Sequence, residues 1–278
     1  MSVIEFSIWV WLGSALAGFL GALTGLGGGV VIVPLLALLF KVDIHYAIGA
    51  SLVSVIATSS GAAAAYVKEG FSNIRIGMFL EIATTLGALL GAFLATRISS
   101  GAIAIVFGFV LIYSACLSLR RHAHDGQEVP PDRLASRLKM NGSYPAPEGR
   151  RRYNVTNVPS GFGLMLGAGT LSGLLGIGSG AVKVLAMDQV MKIPFKVSTT
   201  TSNFMIGVTA AASAGVYLSR GFVDPALSMP VMLGVLAGSF LGSRVLVRAR
   251  VKVLRMVFAC VIVVLGIEMI YNGFSGRL

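Results

Sequence analysis

The length of its charge-free runs confines this chain to folds that a lipid bilayer accepts. After Glu5 no Asp, Glu, Lys or Arg occurs before Lys41, and none occurs across residues 155–182. A helix crosses the hydrocarbon core with about 20 apolar residues. Lipid leaves every backbone N–H and C=O to find an internal partner, so such runs form helices rather than barrel strands. Composition agrees: 55% of the 278 residues are hydrophobic and 12% are charged, against roughly 25% charged in soluble domains. A soluble enzyme, a disordered chain and a disulfide scaffold are thereby excluded. The first segment has no basic leader, holds Glu5 and runs too long for a cleavable signal. Cys116 and Cys260 lie in apolar stretches without metal-ligand spacing and are expected to be buried small hydrophobes.

Turn and charge signals divide the chain into apolar segments at about 6–24, 29–40, 46–67, 74–96 and 101–119. Residues 120–152 are polar, charged and proline-bearing, and read as an extramembrane loop, partly disordered. Apolar segments resume at 160–175, 180–191, 198–218, 225–246 and 251–271. The second set repeats the first at one ungapped offset of 151 residues. Gly25, Gly27 and Gly29 match Gly176, Gly178 and Gly180; Ser51 matches Ser202, Thr58 matches Thr209, Tyr66 matches Tyr217, and Gly87 and Gly91 match Gly238 and Gly242. Three regions follow: a first transmembrane repeat at 1–119, a charged cytoplasmic loop at 120–159, and a second transmembrane repeat at 160–278.

The basic residues orient the halves. If each half crosses the membrane an odd number of times, the loops at 68–75, 120–152, 192–196 and 244–255 share one face and hold 17 of the 22 Lys and Arg. An even number of crossings leaves almost no asymmetry. Lys and Arg concentrate on the cytoplasmic side, so the repeats are expected to be inverted, with the long loop cytoplasmic. The same rule accounts for the net charge of +11. A nucleic-acid role is excluded because no basic stripe carries interleaved aromatics.

Segments 29–40 and 180–191 are too short to span. They read as re-entrant half-helices, tilted partial spans or halves of a broken helix. Each follows a glycine cluster, where a helix breaks and a new one opens with unpaired N–H groups. Such an end carries about half a positive charge and suits anions. Close helix packing is the competing reading, and it suffices for Gly87/Gly91 and Gly234/Gly238/Gly242. Gly27, Gly28, Gly29, Gly178, Ser179 and Gly180 are therefore candidate substrate-binding positions. Lys183 follows three residues after Gly180, as an anion contact or as a partner of Asp188. Its counterpart in the first half is Ile32, so this contact is one-sided. Thr201, Ser202 and Asn203 open the next segment, and Ser51 stands at the matching place; these are neutral donors suited to oxyanions, or caps and interhelical bonds. Glu81 lies inside segment 74–96 and is the proton-coupling candidate, with pairing to a basic residue as the alternative. There is no catalytic set, P-loop or metal spacing, so no enzyme activity and no cofactor are expected.

The motifs T-G-L-G-G-G at 24–29, L-G-I-G-S-G at 175–180 and T-T-T-S-N-F at 199–204 resemble the TauE/SafE family, the sulfite exporter and sulfonate permease transporters. The resemblance covers about residues 10–119 and 160–271. It implies a multi-pass bacterial inner-membrane secondary transporter for sulfite, thiosulfate or an organosulfonate. The expected fold is all-α and polytopic, with two inverted repeats and short glycine-broken half-helices. The expected partners are a small anion, membrane lipid and a coupling proton or sodium ion, with a homodimer left open. A passive anion channel and a non-transporting scaffold are the alternative readings.

Overall fold

A computed structural model describes residues 3–24, 28–68, 71–119, 132–146, 149–246 and 251–276. The first half contains α1 (Val3–Thr24), α2 (Gly29–Pro34), α3 (Ile44–Lys68), α4 (Ile74–Ala95) and α5 (Ser100–Leu119). The insert holds α6 (Arg133–Arg137), β1 (Gly142–Ala146) and β2 (Gly149–Tyr153). The second half contains α7 (Val158–Leu175), α8 (Gly180–Leu185), α9 (Phe195–Ser219), α10 (Pro225–Leu246) and α11 (Val251–Phe274). Both ends of α2, α3 and α4 recur 151 positions later in α8, α9 and α10. The sequence repeat is thus also a repeat of helix boundaries. A π-helical turn extends α2 through Leu35–Leu39 and α8 through Ala186–Val190. It forms in both halves although Leu185 stands where Pro34 does, so the proline is not its cause.

The short arms fold back on their predecessors. Phe6, near the start of α1, meets Phe40, beyond the end of α2, with ring centroids 5.8 Å apart. A Cβ on Gly13 would lie 3.2 Å from Leu35, and one on Gly28 would lie 3.6 Å from the Cα of Gly18. In the second half Ser179 Oγ donates to the Ala168 carbonyl at 2.6 Å, and Thr156 N–H donates to the Met191 carbonyl at 3.1 Å. Each pair is a long helix, a glycine break and a short returning arm.

Four pairings dominate the packing: α1 with α10, α4 with α7, α3 with α9, and α5 with α11. In the first two, the first long helix of one half packs on the third long helix of the other. Glycine permits the approach. A Cβ on Gly87 or Gly91 would strike the carbonyls of Leu166 or Thr170, and one on Gly169 or Gly173 would strike those of Thr84 or Ala88. Small residues that let backbones touch are the usual adhesive between helices in lipid. On α5 and α11, Gly101 faces Gly273 and Gly108 faces Gly266, so these two matching helices run antiparallel. Helices α1, α4, α7 and α10 are long and apolar enough to cross a membrane. The outer surface carries Trp9, Leu86, Phe93, Phe109, Leu233 and Phe240, all exposed, as a lipid-facing surface does. Cys116 and Cys260 are exposed as well, which corrects the buried role expected from their apolar surroundings. In a membrane protein the apolar stripe marks the lipid face as readily as the core.

Residues 120–131 of the insert lie outside the described residues. Its described residues 132–146 and 149–159 are folded, contrary to the expectation of a loop, and add a two-stranded antiparallel pairing to a chain that is otherwise helical among the described residues. Asp132 caps α6 by accepting the Leu134 N–H at 3.2 Å. Ala135, Met140, Tyr144 and Val155 are buried in one cluster with Ile76, Leu80, Met187, Met191 and Val197. Asn73, at the start of α4, donates from Nδ2 to the Met140 carbonyl at 3.0 Å and to the Tyr153 hydroxyl at 2.7 Å. The insert therefore covers the end of the bundle where α4 and α9 begin. Burial pushes the Tyr153 phenol above its ordinary value, although the Asn73 amide opposes this.

Candidate functional site

The glycine breaks meet where α3 and α9 cross. A Cβ on Gly29 would lie 2.9 Å from Ser51 Oγ and 3.1 Å from the Gly176 carbonyl. Ser51 Oγ donates to that carbonyl at 2.8 Å, joining the start of the first arm to the break before the second. Ser202 Oγ, its repeat partner, donates to the Gly180 carbonyl at 3.3 Å. Gly176 and Gly178 adopt φ of 69° and 68°, the left-handed region that glycine enters at no steric cost. Ser179 follows at φ 42°, held by its bond to Ala168. Val55 and Ile206, which match across the repeat, both close on Gly178. A crevice between α5 and α7 reaches this point; Val30, Ser114, Leu171, Ser179, Gly180 and Val182 are among its walls.

A buried charge pair lies beside the break. Lys183 is fully buried, and its Nζ donates to Thr209 Oγ1 on α9 at 2.6 Å. Thr209 Oγ1 lies 2.7 Å from Glu81 Oε1 and 2.9 Å from the Met205 carbonyl, either of which can accept its proton. Thr85 Oγ1 also donates to Glu81 Oε1, at 3.2 Å. Glu81 is 6% exposed, and its Oε2 is buried without a hydrogen-bond partner among the described residues. One hydroxyl thus joins a cation of the second half to a carboxylate of the first. Thr209 was visible in the sequence only as the repeat partner of Thr58.

The sequence candidates separate in space. Gly29, Ser51, Gly178, Ser179, Gly180 and Ser202 gather at the crossing, while Gly28, next to Gly29 in the chain, faces Val235 and Gly18. Gly27 lies outside the described residues. Lys183 and Glu81 join through Thr209. Thr201 is elsewhere: its Oγ1 accepts the Asn73 N–H at 3.0 Å and ties α9 to the insert-covered end. Asn203 is half-buried and makes no hydrogen bond among the described residues.

The profile of the sulfite exporter TauE/SafE family matches residues 10–269. The chain belongs to the TauE/SafE family. Relatives of this TauE/SafE protein include the probable membrane transporter YunE of Bacillus subtilis, 29% identical over 97% of this chain and 99% of the relative. YdhB of the same organism, also a probable membrane transporter, is 28% identical over 82% and 83%. The archaeal probable membrane transporter MJ0441 of Methanocaldococcus jannaschii is 23% identical over 92% of each chain. No solved structure matches. Family, relatives and apolar helices together make this TauE/SafE chain a multi-pass membrane protein of a transporter family.

Proposed function

We propose that the protein is a secondary transporter that moves a small sulfur oxyanion or organosulfonate across the bacterial inner membrane by alternating access. The observation behind this reading is the meeting of two glycine-broken re-entrant arms at the α3–α9 crossing, with the Ser51 and Ser202 hydroxyls on it. Each arm opens with N–H groups that have no partner within the arm, a polar concentration in an apolar interior. Gly28, Gly29, Gly178, Ser179 and Gly180 would present backbone donors to the anion. Asn203 would supply its amide, and Lys183 its charge. The Ser51 and Ser202 hydroxyls are engaged with carbonyls, so their part is to hold the breaks open or to turn toward the anion on binding.

The two repeats have inverted topology in this reading. Antiparallel packing of the matching helices α5 and α11 supports it, because a two-fold axis relating them runs across both. Inverted repeats rocking about a midplane site are a common transporter design. The insert and the starts of α4 and α9 would face the cytoplasm, where Lys and Arg concentrate.

The test is thermal unfolding of the purified protein against sulfite, thiosulfate, sulfoacetate, taurine, sulfate, phosphate and chloride. A ligand at 100 times its Kd stabilises the folded state by about 2.7 kcal/mol. The expected result is a shift with a sulfur anion, lost in Asn203→Ala and Lys183→Ala. Absence of any shift at tens of millimolar would refute the anion site. Accumulation against a gradient in proteoliposomes separates this transporter from a channel.

A further inference from the structure

Given the transport reading above, we infer that Glu81 is the proton-binding residue of the transport cycle, taking one proton at Oε2 for each anion that binds near Lys183. Three observations support this, beginning with an internal control. The positions matching Lys183 and Glu81 in the other half are Ile32 and Met232, both apolar, while Thr58 matches Thr209. The fold therefore closes around apolar residues where the second site keeps a lysine and a carboxylate. Replacing a buried ion pair by apolar residues is commonly neutral or stabilising, so stability alone does not explain the pair.

The second observation is electrical. Without an anion, the Lys183 ammonium and the Glu81 carboxylate balance through Thr209. An anion beside Lys183, three residues from Gly180, would leave the buried group with net negative charge. A low-dielectric interior penalises that heavily. A proton on Glu81 restores neutrality, and Oε2 has no hydrogen-bond partner among the described residues.

The third is the geometry of Thr209. Its hydroxyl has one proton and two acceptors in reach, Glu81 Oε1 at 2.7 Å and the Met205 carbonyl at 2.9 Å. While Glu81 is ionised, the proton points to Oε1 and completes an ammonium–hydroxyl–carboxylate chain. Once Glu81 is protonated, the hydroxyl is released to Met205. The state of a carboxylate on α4 is thereby transmitted to α8 and α9.

The other titratable groups around Glu81 are placed as follows. Helix α7 contributes none. Asp188 is buried in the turn after α8, and Tyr217 is buried toward the far end of α9. Arg75 and Lys196 are exposed at the starts of α4 and α9, and Tyr144 and Tyr153 belong to the insert.

The experiment measures anion affinity against pH, using the monoanions methanesulfonate and ethanesulfonate, neither of which titrates near neutrality. Uptake of one proton per anion weakens the apparent affinity about tenfold per pH unit wherever Glu81 is ionised in the anion-free protein. Calorimetry in two buffers of different ionisation enthalpy counts the protons: one per anion in the native protein, none in Glu81→Gln, whose affinity becomes independent of pH. A pH-independent affinity in the native protein, uptake persisting in Glu81→Gln, or dependence on sodium instead of pH would each overturn the inference. If Glu81→Gln does not fold, the carboxylic-acid infrared band that appears when anion binds to the native protein replaces it. That band must shift in Glu81→Asp, and its absence in the native protein refutes the proposal. Failure of every anion to bind refutes the transport reading instead, and so is distinguishable.

Discussion

At the scale of single residues, the molecule contains two threonines at matched positions with unequal work. Among the described residues, Thr58 Oγ1 donates to carbonyls of its own helix alone, those of Ser54 and Val55. Thr209 links three helices. Thr209→Val removes the group between a buried ammonium and a buried carboxylate, and orphaned buried polar groups cost about 1–3 kcal/mol each. A clear fall in melting temperature is expected in detergent, whereas Thr58→Val should stay within about 0.5 kcal/mol of the native protein. Equal effects would mean that the bridge carries no energy. Lys183 and Glu81 were legible in the sequence because charges at bilayer depth are rare. Thr209 was not, because α9 holds several hydroxyls and helical spacing alone does not say which one faces α4. Asp188 drew attention as a neighbour of Lys183 in sequence, but the Lys183 ammonium reaches across to another helix.

At the scale of elements, the boundaries were legible because glycine clusters, charges and prolines punctuate the apolar runs, and the glycine signals occur twice. The packing of α2 and α8 back along the helices that precede them was not legible, since length shows that an arm is short but not where it runs. The hairpin was missed because its strands are short and polar, with Tyr144 and Tyr153 its only aromatics. Two glycines of α7 separate packing from spacing. Gly169→Ala drives a methyl into the Thr84 carbonyl, while Gly167→Ala meets nothing within 4 Å. Overpacking costs about 1–3 kcal/mol, and glycine to alanine in an open helical position gains up to about 1 kcal/mol. Unfolding followed by circular dichroism should place the two variants on opposite sides of the native protein. The hairpin gives a pH expectation. The docked Tyr153 phenol ionises later than a free tyrosine, so its contribution is complete below the ordinary value near 10 and is lost as pH rises through the raised one. Phenolate absorbance should show a late step that is missing in Tyr153→Phe.

At the scale of the whole molecule, the polar contacts sort into two ends, and the sorting predicts which residues share a side of the membrane. His45 Nε2 lies 3.1 Å from the Ala95 carbonyl and its ring stacks on Phe222, so the start of α3, the end of α4 and the end of α9 lie together. Asn73 binds Thr201 and Met140, so the starts of α4 and α9 lie together with the insert. Arg97 and Arg220 belong to the first end, one from each half; Lys139 and Lys196 belong to the second; all four are exposed. Cys116 and Cys260 can be replaced by serine, since both side chains face outward. On that background, a membrane-impermeant maleimide applied to intact cells should label Arg97→Cys and Arg220→Cys, and should reach Lys139→Cys and Lys196→Cys only after the membrane is opened. Labelling of Lys196→Cys together with Arg97→Cys from outside, with Arg220→Cys and Lys139→Cys protected, would remove the inverted arrangement, because halves of like orientation place the start of α9 on the same side as the start of α3. The reverse pattern would keep the inversion and turn the whole molecule over, against the side on which basic residues collect. The arrangement and its orientation are thus tested separately by four substitutions outside the proposed site.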